Sequence, residues 1–225
     1  MAPSPRDAIE VLRLNPVEAP RGSARFEALV AFAAAGNLAP GRGSRLTAAL
    51  DQAGFLAPEA LSTASLQEVV DALRDSRIEA NPKLVRLLQR LAAWFRDHRE
   101  DLEFEPGPGE DRPRLPLDRL SAIHGVGRAT ADAIALRVFG SPVYPVDRAS
   151  YRVMIRHGWI DPTADYDEAS QVLATAAEGD AAMLAALADA FETIGRRYCK
   201  ASGPHCDHCP LKVVLPEGGP VDVNG

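Results

Sequence analysis

Three groups of residues in this 225-residue chain are equipped for chemistry. Asp147, in PVDRASYRVMIRHGW, stands just before an apolar-periodic run. Asp in that place predicts an N-cap, its side chain taking a free amide of the first helical turn. A carboxylate there can also stabilise developing positive charge or activate water. The second group is His124-Gly125-Val126-Gly127-Arg128. Its glycines permit positive φ and close backbone approach, and Val126 is placed to point inward. The free N–H groups of Gly125, Gly127 and the following helix start suit a phosphate oxygen, with Arg128 adding charge. A plain turn between helices is the alternative. The third group is Cys199-x6-Cys206-x2-Cys209, three thiols within eleven positions. An odd, clustered set reads as metal ligands rather than a disulfide framework.

The elements that must position these groups are helices. The chain is 46% hydrophobic and 25% charged, with few aromatics, the balance of an Ala- and Leu-rich globular protein. Helical periodicity runs through 7–14, 24–35, 44–53, 66–74, 82–98, 117–123, 128–139, 148–157, 167–175 and 181–197. Ser4 or Asp7 caps the first of these. Asn81 sits at an N-cap with Pro82 after it, and Leu84, Leu87, Leu88, Leu91 and Phe95 form one stripe. Residues 103–116, EFEPGPGEDRPRLP, read as a connector, and the tail beyond Lys212 as irregular. No strand pattern or internal repeat interrupts this, so the fold class is all-α.

The net charge of −6 argues against a uniformly phosphate-binding surface. Its distribution matters more. Residues 121–160 carry Arg128, Arg137, Arg148, Arg152 and Arg156 against Asp132 and Asp147, and Arg196, Arg197 and Lys200 form a second basic knot. Arg148, Arg152 and Arg156 recur at i, i+4 and i+8, as either a solvated face or a phosphate-contacting one. Neither a secretory signal nor a membrane-length apolar run is present, so a cytoplasmic protein without a membrane partner is expected.

GVGRATADAIALRVFG followed by PVYPVDRASYRVMIRHGWID resembles the helix-hairpin-helix DNA glycosylases of the endonuclease III superfamily. FEALVAFAAAGN, RIEANPKLVRLLQRLA and IGRRYCKASGPHCDHCPL extend that resemblance over nearly the whole chain. It implies two helical lobes: a six-helix bundle over 18–141 ending in the hairpin, and a discontinuous lobe of 1–17 and 142–225 carrying the cysteine loop. Duplex DNA with a damaged or mismatched base would lie across the cleft, bound by a monomer, in the nucleoid if the source is bacterial. Asp147 takes the essential carboxylate's place, and Gly125, Val126, Gly127, Arg128, Thr130, Arg148 and Arg152 are the expected DNA-binding residues.

The chain also departs from the family. Bifunctional members carry a lysine four residues after the first hairpin Gly, which attacks C1′ and forms a Schiff base. Here that position is Ala129, with no lysine nearby, and Arg128 stays protonated. The resemblance therefore implies a monofunctional glycosylase with little or no lyase activity; a catalytically silent DNA-structure binder is the alternative. The lesion-sensing loop presents Asn37 where the family has Gln, and the lesion stays open among oxidised pyrimidines, uracil or thymine mismatches and alkylated purines. The family's fourth cluster cysteine is replaced by Leu215. A [4Fe–4S] cluster on three cysteines is expected, with water, His205, His208 or Glu217 on the fourth iron. A Cys3His zinc site through His208, or no metal at all, are the alternatives.

Overall fold

The architecture begins with helices whose ends are closed by their own side chains. The computed structural model describes residues 3–35, 38, 43–79, 81–105, 115 and 117–221. Asn37 and most of the connector at 103–116 lie outside the described residues. Helix α1 (Pro5–Leu12) is closed by Ser4, with Asp7 answering from the third position as a capping box. There follow α2 (Ala24–Ala35), α3 (Gly43–Gln52), α4 (Pro58–Thr63), α5 (Leu66–Asp75), α6 (Pro82–Asp97) and α7 (Arg99–Glu103). A 3-10 turn, Leu117–Ala122, leads to α8 (Arg128–Phe139), α9 (Arg148–Arg156), α10 (Tyr166–Ala176) and α11 (Ala181–Arg197). Two further 3-10 turns, Cys206–His208 and Pro210–Val214, close the cysteine loop, so the chain stays regular just past Lys212. No strand occurs among the described residues.

The sequence missed α4 and α7. They are six and five residues long, too short for a 3.6-residue period to register in an 11-residue window. The local signal at α4 is Pro58 in its first turn.

The chain divides into two compact units, Pro20–Gly127 and Met1–Ala19 with Arg128–Gly225. The sequence placed this division at 141/142. Here α8 groups with the C-terminal residues, because its Leu136 is part of their core. In the first unit α6 packs against α4 and α2. Asn81 accepts the Leu84 amide at 2.9 Å, and the expected stripe Leu84, Leu87, Leu88, Leu91 and Phe95 is buried. Each such side chain contributes roughly 1.5–3 kcal/mol by leaving water. Phe95 meets Phe26 edge to face at 5.2 Å. Arg25 is also buried; it donates to the Pro20 and Leu102 carbonyls and pairs with Glu105 at 2.7 Å.

The second unit packs α9 against α11, with α1 on α10 and the last 3-10 turn. Its core holds Tyr144, Val153, Met154, Leu173, Leu187 and Phe191. The segment from Leu14 to Ala19 is pinned by the Val17 amide, which donates to the Ala182 carbonyl at 3.0 Å.

Candidate functional site

The residues 141–147 between α8 and α9 carry no helix, so their backbone groups need other partners. Side chains of α10 supply two of them. Ser170 donates to the Tyr144 carbonyl at 2.8 Å, and the Val146 amide donates to the Tyr166 hydroxyl at 3.3 Å. At the end of this pinned segment Asp147 caps α9. Its Oδ1 accepts the Ser150 amide and the Ser150 hydroxyl, both at 2.7 Å, while the Asp147 amide donates to Ser150 Oγ at 2.9 Å. The sequence predicted the cap; the reply from Ser150 makes it a capping box. The carboxylate remains exposed, and among the described residues nothing donates to its Oδ2. Tyr144 lies buried behind it. Burial raises the Tyr144 phenol pKa, and the Asp147 charge adds to the rise, so the phenol stays neutral.

In the hairpin, Val126 is buried and its amide donates to the Ile123 carbonyl at 2.9 Å. Gly125 has φ +99°, a left-handed geometry that requires glycine. Gly127 has no such requirement, and a Cβ there would meet nothing within 4 Å. What its small size leaves open is the approach to the backbone. Arg90 of α6 fixes the turn from beneath, donating to the His124 carbonyl at 3.1 Å.

Arg128 and Thr130 are exposed in the first turn of α8, with half-buried Ala129 between them. The Arg128 guanidinium sits 4.3 Å from the Tyr166 ring centroid and is bonded to both Asp167 oxygens. Tyr166 in turn donates to Asp132 Oδ2 at 2.6 Å. Sequence reasoning gave no role to Tyr166 or Asp167. They lie 34 to 39 positions from their α8 partners, beyond any local pattern.

The arginine stripe divides. Arg148 is exposed. Arg152 donates Nε to the Cys199 carbonyl at 3.1 Å and a terminal N–H to the Arg148 carbonyl at 2.9 Å. Arg156 is buried, at 4% exposure. Eight residues at 3.6 per turn advance about 80° past two full turns, which carries the third arginine off the solvent face. It donates to Cys199 Sγ at 3.2 Å and to the carbonyls of Lys200 and Ala201.

Cys199, Cys206 and Cys209 line one pocket together with Arg156 and Leu215. Burial raises the Cys209 pKa, and the Cys199 and Cys206 thiols add to it. No group of three or more His, Cys, Asp or Glu among the described residues is close enough to hold a single metal ion. Neither His205, His208 nor Glu217 lines the cavity; His157 does, with its ring nitrogens against the Val153 and Leu211 carbonyls. Three thiols are the donor type that iron–sulfur clusters take. Leu215 offers no fourth donor. The Arg156 guanidinium, buried with the Cys199 thiol and two carbonyls as its partners, brings positive charge to the wall of this cavity.

Fold and site thus define an all-helical protein with a glycine hairpin, a capping carboxylate after it and a thiol-lined loop. No family model matches the chain. Endonuclease III of Sulfolobus acidocaldarius is 28% identical over 159 residues, 71% of this chain and 66% of that protein. The match therefore spans just under two thirds of the relative's length. Endonuclease III of Bacillus subtilis is 27% identical over 205 residues, 89% of this chain and 84% of that protein. The solved structure of a trapped endonuclease III–DNA covalent intermediate matches with TM-score 0.61 and 25% identity, over 90% of this chain and 86% of that one. In sequence and in fold the chain is similar to endonuclease III. No helix among the described residues is long and apolar enough to cross a membrane.

Proposed function

We propose that this protein is a DNA N-glycosylase of base excision repair, which removes a damaged or mismatched base from duplex DNA by hydrolysis and leaves the strand uncut. The observation that carries this reading is an exposed carboxylate, Asp147, on an endonuclease III-like fold whose nucleophile position holds Ala129. The target base is flipped out of the stack. As the C1′–N bond breaks, its electron pair leaves with the base and C1′ becomes positive. Asp147 Oδ1 is held by Ser150, so Oδ2 is the oxygen free to face that charge. Water then bonds to C1′ and its proton passes to Asp147 and on, through solvent, to the departed base anion, so the base leaves neutral and the carboxylate is restored. No amine competes for C1′: the three lysines of the chain are Lys83, Lys200 and Lys212, none in the hairpin or α8.

Gly125, Val126, Gly127, Arg128, Thr130, Arg148 and Arg152 are the proposed DNA contacts, made by a monomer in the cytoplasm or nucleoid. The proposed cofactor is an iron–sulfur cluster held by Cys199, Cys206 and Cys209, with Arg156 as counter-charge. When bound, such a cluster cross-links the loop and supplies an anionic centre beneath it.

Duplexes carrying uracil, thymine glycol, 3-methyladenine or mismatches, incubated with the protein and then treated with hot alkali, test the reading. Alkali-dependent breaks are expected on one lesion class and fall about 100-fold in Asp147→Asn, the order seen when an electrostatic stabiliser is removed. Binding without breaks on every lesion overturns the glycosylase reading in favour of a silent DNA-structure binder.

A further inference from the structure

The first turn of α10 reaches both halves of the proposed site within one compact unit. Tyr166 is half-buried, and its hydroxyl is used twice. It donates its one proton to Asp132 Oδ2 at 2.6 Å and accepts the Val146 amide at 3.3 Å. Because the proton is committed to a carboxylate, the lone pairs face the amide, and the chain of bonds polarises in one direction. Burial, and then the bond to Asp132, raise the Tyr166 pKa, so it remains a neutral donor. Val146 is the residue immediately before Asp147. One turn further along α10, Ser170 holds the Tyr144 carbonyl of the same segment. The Tyr166 ring meanwhile lies under the Arg128 guanidinium at 4.3 Å, and the next residue, Asp167, bonds that guanidinium directly.

We propose that Tyr166 is a positioning residue for both functions, its hydroxyl holding the peptide that presents Asp147 and its ring holding Arg128 for a DNA phosphate. This rests on the proposed glycosylase reading. The two ends of the side chain act on different quantities. The hydroxyl sets the carboxylate's place and governs the rate of base excision. The ring orients the hairpin arginine and governs binding. Asp132 reaches Val146 only through the hydroxyl, while its charge also acts on Arg128.

The experiment compares Tyr166→Phe, Tyr166→Leu and Asp132→Leu with the wild type, measuring single-turnover excision at saturating protein and the Kd for the same duplex. Tyr166→Phe keeps the ring: excision slows about 5- to 10-fold, the worth of one hydrogen bond, with Kd unchanged within about twofold. Asp132→Leu slows excision in the same sense. Tyr166→Leu loses both ends, and its Kd also weakens about 2- to 5-fold, as expected for a partly exposed cation–π contact. Amide hydrogen exchange at Val146, read in the same proteins, quickens in Tyr166→Phe and Asp132→Leu whether or not the protein turns over. A merely structural role would move rate and Kd together in all three variants, and that result overturns the proposal. So does a Tyr166→Phe protein that excises at the wild-type rate. If the wild type excises no lesion, the glycosylase reading falls and takes the hydroxyl's catalytic role with it. The ring's role then stands or falls on Kd alone.

Discussion

Replacing Gly195 by Ala inserts one methyl where α11 packs directly on Ala149 of α9. The new Cβ would lie 2.4 Å from the Ala149 Cβ and 3.4 Å from its Cα. Carbon atoms pack at about 3.5–4.0 Å, so the helices must separate or slide by about 1 Å. Ala149 is the second residue after the cap, so the shift passes straight to Asp147. Overpacking of this kind costs about 1–3 kcal/mol. Ala in place of helical Gly returns about 1 kcal/mol. The net expectation is a loss of about 1 kcal/mol, or about 3 °C in Tm for a chain of this size. The effect on chemistry is larger, because a carboxylate displaced by about 1 Å loses about 100-fold in rate. Urea denaturation and single-turnover excision measure the two separately. The double variant Gly195→Ala/Ala149→Gly removes the colliding methyl from the other side. It recovers the rate to within a few-fold and returns to about wild-type stability, because the cost of glycine in α9 offsets the gain of alanine in α11. A Gly195→Ala protein at wild-type rate and equal or greater stability would refute the reasoning, since the close approach would then constrain nothing.

Three further outcomes follow from the same geometry. Ala129→Lys places an amine in the first turn of α8, so a borohydride-trapped protein–DNA adduct appears on a gel where the wild type gives none. Leu215→Cys adds a thiol to the wall already shared by three others; iron per purified chain rises and resists chelators, whereas Cys199→Ser and Arg156→Leu lower it. At acid pH, Asp7 and Glu68 matter through their capping boxes. Hydrogen bonds from Ser4 hold Asp7 below its ordinary pKa, and those from Ser65 do the same for Glu68. A depressed folded pKa stabilises the fold above the unfolded values of about 3.9 and 4.3 and is lost as pH falls through the folded ones. In the variant Ser4→Ala/Ser65→Ala, Tm is therefore lowered near neutrality; the gap to wild type narrows as pH falls below the ordinary carboxylate range, leaving the pH-independent loss of the two serine caps.

Much of the fold was legible because helix periodicity, caps and glycine turns are local. Asn81, Asp147 and the α6 stripe are read from a few neighbouring residues, and the structure puts each where its type requires. Arg156 shows the limit. Its i+8 spacing suggested one face shared with Arg148, solvated or phosphate-contacting, but helical drift and the thiol cavity bury it. Arg25 shows another, since its partners Leu102 and Glu105 lie far along the chain.

Local pattern carries the longer helices, the carboxylate at a cap, the three spaced thiols and the two absences, a lysine at 129 and a cysteine at 215. Those are matters of residue type and short spacing. Only the tertiary structure decided what supports them: that Tyr166 ties Val146 to Asp132 while lying under Arg128, and that Arg156 turns inward to Cys199. Such contacts join residues tens of positions apart. Their free energy depends on which surfaces the packed helices bring within bonding distance, and no local pattern encodes that.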